Sequence, residues 1–122
     1  MANTPARIVE PQPAASVVLL RDGEAGLEIL YLRRSPDLKF MGGYWVFPGG
    51  RIDLGDHLDG DTDELRVARR AAAREAHEEA GVTVDPTSLH LVCQWTTPTA
   101  SPIRFATWFF AAAVDRTPVR VD

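Results

Sequence analysis

Arg74-Glu75-Ala76-His77-Glu78-Glu79-Ala80-Gly81-Val82 is the stretch on which the reading of this chain turns. Glu75, Glu78 and Glu79 stand at i, i+3 and i+4, so on a helix their carboxylates share roughly a third of the circumference. The flanking residues predict that helix over 62–80, a run without glycine or proline and rich in Ala, Arg and Glu. Asp61 is placed to cap its start, with Glu64 three residues on as in a capping box, and Gly81 to end it. Carboxylates on one stripe repel unless water or a cation separates them. Hard oxygen ligands in that arrangement suit Mg²⁺ or Mn²⁺, which polarise phosphoryl oxygens and activate water. The spacing by itself also fits a solvated acidic face with one Arg74–Glu78 pair.

Upstream, Phe47-Pro48-Gly49-Gly50 lets the backbone turn sharply and approach a ligand closely. Residues 51–61 are acidic and read as loop. Strands are expected at Ala14–Arg21 and Leu27–Arg33, joined through Asp22-Gly23 as a hairpin, and at Tyr44–Phe47. After the helix, an extended piece at Val82–Val84 and a turn at Asp85-Pro86 lead to strands at Leu89–Trp95 and Ile103–Val114. Asp115–Asp122 reads as a turn and the start of another strand. Residues 1–13, proline-rich and without an apolar signal segment, read as a flexible arm, and 14–122 as one domain. One long helix among so many strands points to a mixed sheet, α+β in class, rather than a doubly wound parallel one.

The composition agrees. The 122 residues are 45% hydrophobic and 25% charged, which excludes global disorder, and no apolar run is long enough to cross a membrane. The net charge of −4 argues against a general nucleic-acid binder. Nine of the 17 acidic residues lie between Asp53 and Glu79, against four arginines, a concentration that calls for solvent or a cation. Cys93 is the sole cysteine, so no internal disulfide forms, which suits a cytoplasmic location. Its strand setting reads as a buried thiol. Trp45, Trp95 and Trp108 are candidates to stack a nucleobase, although core packing is the commoner use. His57, His77 and His90 show no metal-ligand spacing, and neither a P-loop nor a dinucleotide fingerprint occurs.

Arg74–Val82 resembles the heart of the Nudix box, G-x5-E-x7-R-E-U-x-E-E-x-G-U with U apolar, and matches R-E-U-x-E-E-x-G-U at every fixed position. There are two departures. Counting from Gly50, Asp56 stands where the pattern has Glu, and seventeen residues rather than seven separate it from Arg74. The extra ten fall around His57–Arg66, in a segment expected to be an exposed loop, since loops accept insertions at low cost. The resemblance implies an α/β/α sandwich around a mixed sheet and hydrolysis of a nucleoside diphosphate linked to another moiety. It implies Glu75, Glu78 and Glu79 as ligands of Mg²⁺ or Mn²⁺, with the role of Asp56 open, Arg74 orienting the glutamates, and Gly49 and Gly50 lying against the phosphates.

A second resemblance narrows the substrate. Coenzyme A pyrophosphatases of this family carry L-L-T-x-R-[SA]-x3-R-x3-G-x3-F-P-G-G. Leu30 to Ser35, Lys39, Gly43 and Phe47–Gly50 fit that register without a gap, with Tyr31, Leu32 and Lys39 departing from it. It implies Arg34 and Lys39 as contacts for substrate phosphate, and coenzyme A or an acyl-coenzyme A as substrate. ADP-ribose, NADH and other nucleoside diphosphate derivatives are the alternatives, and a nucleotide-binding domain without turnover is the rival of another class. Relatives of this subgroup, whose box is split by an insertion, continue with a further strand and a C-terminal helix. A chain ending at Asp122 is therefore expected to lack that layer, leaving a sheet face that a second copy of the chain could cover.

Overall fold

The structure is a computed structural model, described for residues 8–38 and 42–114. It comprises β1 (Gln12–Gly23), β2 (Gly26–Ile29), β3 (Leu32–Arg33), β4 (Trp45–Val46), β5 (Gly49–Arg51), the helix α1 (Glu64–Ala80), β6 (His90–Thr96) and β7 (Phe105–Ala113). Two short 3-10 helices, Leu54–Asp56 and Leu58–Gly60, connect β5 to α1, and a third, Pro86–Ser88, follows α1.

β1 is the spine of a mixed sheet. Its side chains alternate, so Ala15, Val17 and Leu19 face the core while Ala14 and Ser16 face the opposite side. β7 lies parallel to β1 in register from Gln12↔Phe105 to Leu20↔Ala113, and β6 pairs antiparallel to β7 at the sheet's edge. The hairpin expected from β1 to β2 forms, its turn falling at Glu24-Ala25 with Gly26 at φ 129°. The strand expected through Arg33 breaks after Ile29. Leu32 and Arg33 pair instead with Val46 and Trp45 in a separate two-stranded ribbon.

Two segments expected as loop are structured. Gly49–Arg51 is a strand, antiparallel to Ala14–Ser16, on the edge of β1 that also carries β2. The glycines make this possible, because a Cβ at Gly49 would stand 2.6 Å from the Ala15 carbonyl oxygen. Pro48 needs no donor here, and its carbonyl accepts from Val17 N and Ser16 Oγ, both at 2.9 Å. Residues 8–13 are likewise not a free arm. Gln12 and Pro13 belong to β1, Gln12 N donates to the Arg104 carbonyl at 3.0 Å, and Arg104 Nη1 donates to the Val9 carbonyl.

α1 begins two residues later than expected, at Glu64, and its cap is Asp63, which accepts from Arg66 N at 2.8 Å. Asp61 is occupied otherwise, by Asp63 N at 2.9 Å and by the guanidiniums of Arg66 and Arg70. Gly81 ends the helix in the left-handed region, φ 68°, as its position predicts. The buried face of α1 is almost all alanine (68, 71, 72, 76 and 80), packed on Val17, Leu19 and Phe110 with Val82 and Leu89. Small side chains bring the helix axis close to the sheet, and so bring its glutamates close to β5.

Among the described residues this is one helix on one face of a mixed sheet. The other face is open along β6, and Cys93 is exposed there rather than buried. Hydrophobic strand composition does not distinguish an edge strand from a core strand, which is why the thiol is misplaced by sequence alone. Lys39 and 115–122, with the further strand expected in the latter, lie outside the described residues.

Candidate active site

Arg74 is the organising side chain. Its Nε donates to Asp56 Oδ1 at 3.0 Å and Nη2 to Asp56 Oδ2 at 3.1 Å, a two-point grip on a carboxylate only 4% exposed. Asp56 Oδ2 also accepts from Asp53 N at 2.8 Å. Arg74 Nη1 donates to Glu75 Oε1 at 2.9 Å and to Glu78 Oε2 at 3.1 Å, and Nη2 donates to the Arg51 carbonyl at 3.1 Å. The Asp53 carboxylate stands 3.4 Å from Nη2. One guanidinium thus gathers the 3-10 turn, the end of β5 and the helix carboxylates, and its proton affinity is raised, foremost by Asp56.

Glu75 and Glu79, one helical turn apart, face β5. Gly49 N donates to Glu79 Oε1 at 3.1 Å, and a Cβ on Gly50 would come within 2.8 Å of Glu75 Oε1. The bare glycine backbone therefore lies directly on the two carboxylates. Glu79 is pushed up from its ordinary 4.5 to about 7, first by burial and then by the hydrogen bond and charge of Glu75. Gly49 N–H and the positive charge of Arg34 oppose that rise, which also places Arg34 within electrostatic reach of Glu79.

Not every expected ligand converges. Glu78 shares Arg74 Nη1 with Glu75 but is turned outward to solvent, 57% exposed against 15% for Glu75, and no three His, Cys, Asp or Glu side chains among the described residues form a ready metal cage. The donor set nonetheless fits a hard divalent cation. Two glutamates press together at a cost that a cation would remove, and a third stands one turn away on a flexible side chain. Asp56 is not free to serve as a ligand as it stands, because both its oxygens are held by Arg74.

Gly49 and Gly50, which meet Glu79 and Glu75 of α1, also border a cleft of about 600 Å³ on the sheet face opposite α1, whose lining includes none of the three glutamates. Gly49, Gly50 and Arg34 form part of its wall, Phe47, Trp45 and Trp95 another part, and Phe105, Thr107 and Phe109 of β7 its floor. Of the three tryptophans considered as base-stacking platforms, Trp45 and Trp95 are exposed and line this cleft. Trp108 is on the helix side, its Nε1 donating to Glu64 Oε1 at 3.1 Å.

A model of the NUDIX domain matches residues 10–121. The chain belongs to the Nudix family. Among curated relatives it is 37% identical over 83 residues to a peroxisomal coenzyme A diphosphatase of Caenorhabditis elegans, covering 67% of this chain and 32% of that protein. It is 42% identical over 69 residues to a putative nudix hydrolase of the same organism, covering 57% of this chain and 21% of that one. The matches thus span a third or less of these relatives' length. The fold matches the crystal structure of a NUDIX hydrolase from Alicyclobacillus acidocaldarius with a TM-score of 0.81 at 21% identity, over 95% of this chain and 76% of that one. The NUDIX domain of Shewanella oneidensis NrtR, solved with ADP ribose, matches with a TM-score of 0.70 at 16% identity, over 98% and 70% of the two chains.

Within this Nudix chain, the box residues expected from the sequence (Arg74, Glu75 and Glu79, with Gly49 and Gly50) meet at one point, and Arg34 joins them from the ribbon side. Sequence reasoning missed Asp53, the Arg51 carbonyl and Arg70. The first two become visible only when β5 is folded against α1. Arg70 was legible as a member of the i, i+4, i+8 series Arg66, Arg70, Arg74 facing an acidic insertion.

Proposed function

We propose that this chain is a metal-dependent pyrophosphohydrolase acting on a nucleoside diphosphate derivative, with coenzyme A or an acyl-coenzyme A as favoured substrate. The observation that carries the reading is the contact of Gly49 and Gly50 with Glu79 and Glu75 at the wall of an aromatic cleft. A Mg²⁺ or Mn²⁺ held by Glu75 and Glu79, with Glu78, would polarise the phosphoryl oxygens and activate water. The residues supply the rest. The side-chain-free backbone at 49–50 admits a pyrophosphate to the carboxylates, and Arg34, with Lys39, offsets its negative charge. Glu79, held against Gly49 N at the same point, is placed to accept a proton from the attacking water. Water oxygen bonds to one phosphorus, the bridging P–O bond breaks, and coenzyme A yields 3′,5′-ADP and a phosphopantetheine. The match to a coenzyme A diphosphatase supports this choice over ADP-ribose or NADH.

A second reading has support in the outward-turned Glu78 and in the likeness to a NUDIX domain solved with ADP ribose: binding of a nucleotide without turnover. Incubation with coenzyme A, ADP-ribose and NADH in Mg²⁺ or Mn²⁺, read by product mass, separates the two. Products lost in Glu79→Gln support the hydrolase; binding without product supports the second reading. No helix of the described residues is long and apolar enough to cross a membrane. We take the chain to act in the cytoplasm, and any homodimer to form along the exposed edge of β6.

A further inference from the structure

The insertion that splits the box does not hang free. Of the seventeen residues between Asp56 and Arg74, 64–73 are helical and only 57–63 form the connection. Arg70 holds that connection at both ends. Its Nη2 donates to Asp61 Oδ2 at 2.9 Å and its Nη1 to the Asp56 carbonyl at 3.2 Å. Asp56 in turn presents its carboxylate to Arg74, one helical turn further on, and Arg74 holds Glu75 and Glu78. Arg66 reaches the same Asp61 oxygen at 3.0 Å, but its ion pairs are with Asp61 and Asp63 rather than Asp56, and its side chain is 62% exposed against 22% for Arg70.

We propose that Arg70, paired with Asp61, is a positioning residue for the metal site: it folds the insertion back on α1 so that Asp56 stays buried against Arg74 and the glutamates keep their orientation. The insertion is then a working part of the site rather than a tolerated loop. A partner that orients metal ligands from outside their own shell typically changes metal affinity or activity about 10–100-fold when removed. This inference rests on the metal-dependent reading above.

The test compares Arg70→Gln, Arg70→Lys, Asp61→Asn and Arg66→Gln with the unaltered chain. Each is checked for folding by circular dichroism and measured well below its melting temperature. Mn²⁺ binding to the substrate-free protein is followed by electron paramagnetic resonance, and kcat and KM for the substrate that turns over are measured beside it. Arg70→Gln and Asp61→Asn should each weaken Mn²⁺ binding about tenfold or more and lower kcat with KM little changed. Arg66→Gln should stay within about twofold on both readouts. Arg70→Lys, which keeps the charge but loses the planar fork, should recover part of the loss, and Asp61→Asn carries the test if Arg70→Gln does not fold. Wild-type Mn²⁺ affinity in folded Arg70→Gln overturns the proposal, as does wild-type affinity in folded Asp61→Asn or an equal loss in Arg66→Gln. An unaltered chain that binds no Mn²⁺ overturns the metal-dependent reading itself, and the positioning role with it.

Discussion

The guanidinium of Arg74 grips the buried carboxylate of Asp56 at two points, 3.0 and 3.1 Å, across an interval of eighteen residues. This contact joins the shortened acid of the split Nudix box to the helix that carries its glutamates. Asp56→Asn keeps the shape but leaves the guanidinium facing a neutral amide. Breaking one partner of a buried pair costs about 3 kcal/mol. Chemical denaturation should show a loss of that order, and turnover should fall with it.

The two glycines of Phe47-Pro48-Gly49-Gly50 should fail differently. A methyl at Gly50 meets the Glu75 carboxyl at 2.8–2.9 Å, a side chain that can move aside. Gly50→Ala should therefore keep its melting temperature within a few degrees and lose activity about tenfold or more through displaced Glu75. A methyl at Gly49 meets the Ala15 carbonyl at 2.6 Å and Ser16 Cα at 2.8 Å, atoms of the central strand. Gly49→Ala should destabilise the fold by about 1–3 kcal/mol. Thermal melts beside rate measurements separate the two effects.

Glu79 sets a pH dependence. Its folded pKa, about 7, lies above its ordinary 4.5, so the folded state binds the extra proton between those values. The contribution to stability is full below about 4.5 and is lost as pH rises through 7. In a chelator, the melting temperature of the chain should fall from pH 5 to pH 8, and Glu79→Gln should flatten that fall. Divalent metal competes with the same proton, so its affinity should rise over this interval. Calorimetry across pH, with and without Mn²⁺, checks both signs.

Trp95 is exposed and lines the cleft, whereas Trp108 is tied to Glu64 on the other side of the sheet. Nucleotide binding should quench tryptophan emission. Trp95→Ala should weaken nucleotide binding about 10-fold, in line with about 1–3 kcal/mol per stacked base, while Trp108→Phe should leave it unchanged. Fluorescence titration with a non-hydrolysed nucleotide reads the difference.

The helix and its carboxylate stripe were legible because they are local: spacing, alanine content and Gly81 all act within one element. The β1–β2 hairpin was legible for the same reason. β5 was not, because Gly49-Gly50 has low strand propensity and pairs only because β1 offers an edge that no side chain blocks. Asp61 and Asp63 are both good caps by type. The choice of Asp63 follows from Arg66 and Arg70, which occupy Asp61 through tertiary contacts. Of the site, the glutamates and Arg74 were named by motif. What the sequence could not supply was that Asp56 faces the arginine, or that Cys93 lies on an open edge.

Glu75 and Glu79, pressed together beneath Gly49-Gly50, are proposed to form a hydrolytic metal site. Mass analysis of coenzyme A incubated with the chain and Mn²⁺, beside Glu79→Gln, tests it most directly. The unaltered chain should yield 3′,5′-ADP and a phosphopantetheine, and the variant neither. A folded chain that binds Mn²⁺ yet cleaves none of coenzyme A, ADP-ribose and NADH, or a Glu79→Gln variant that cleaves as well as its parent, would contradict it.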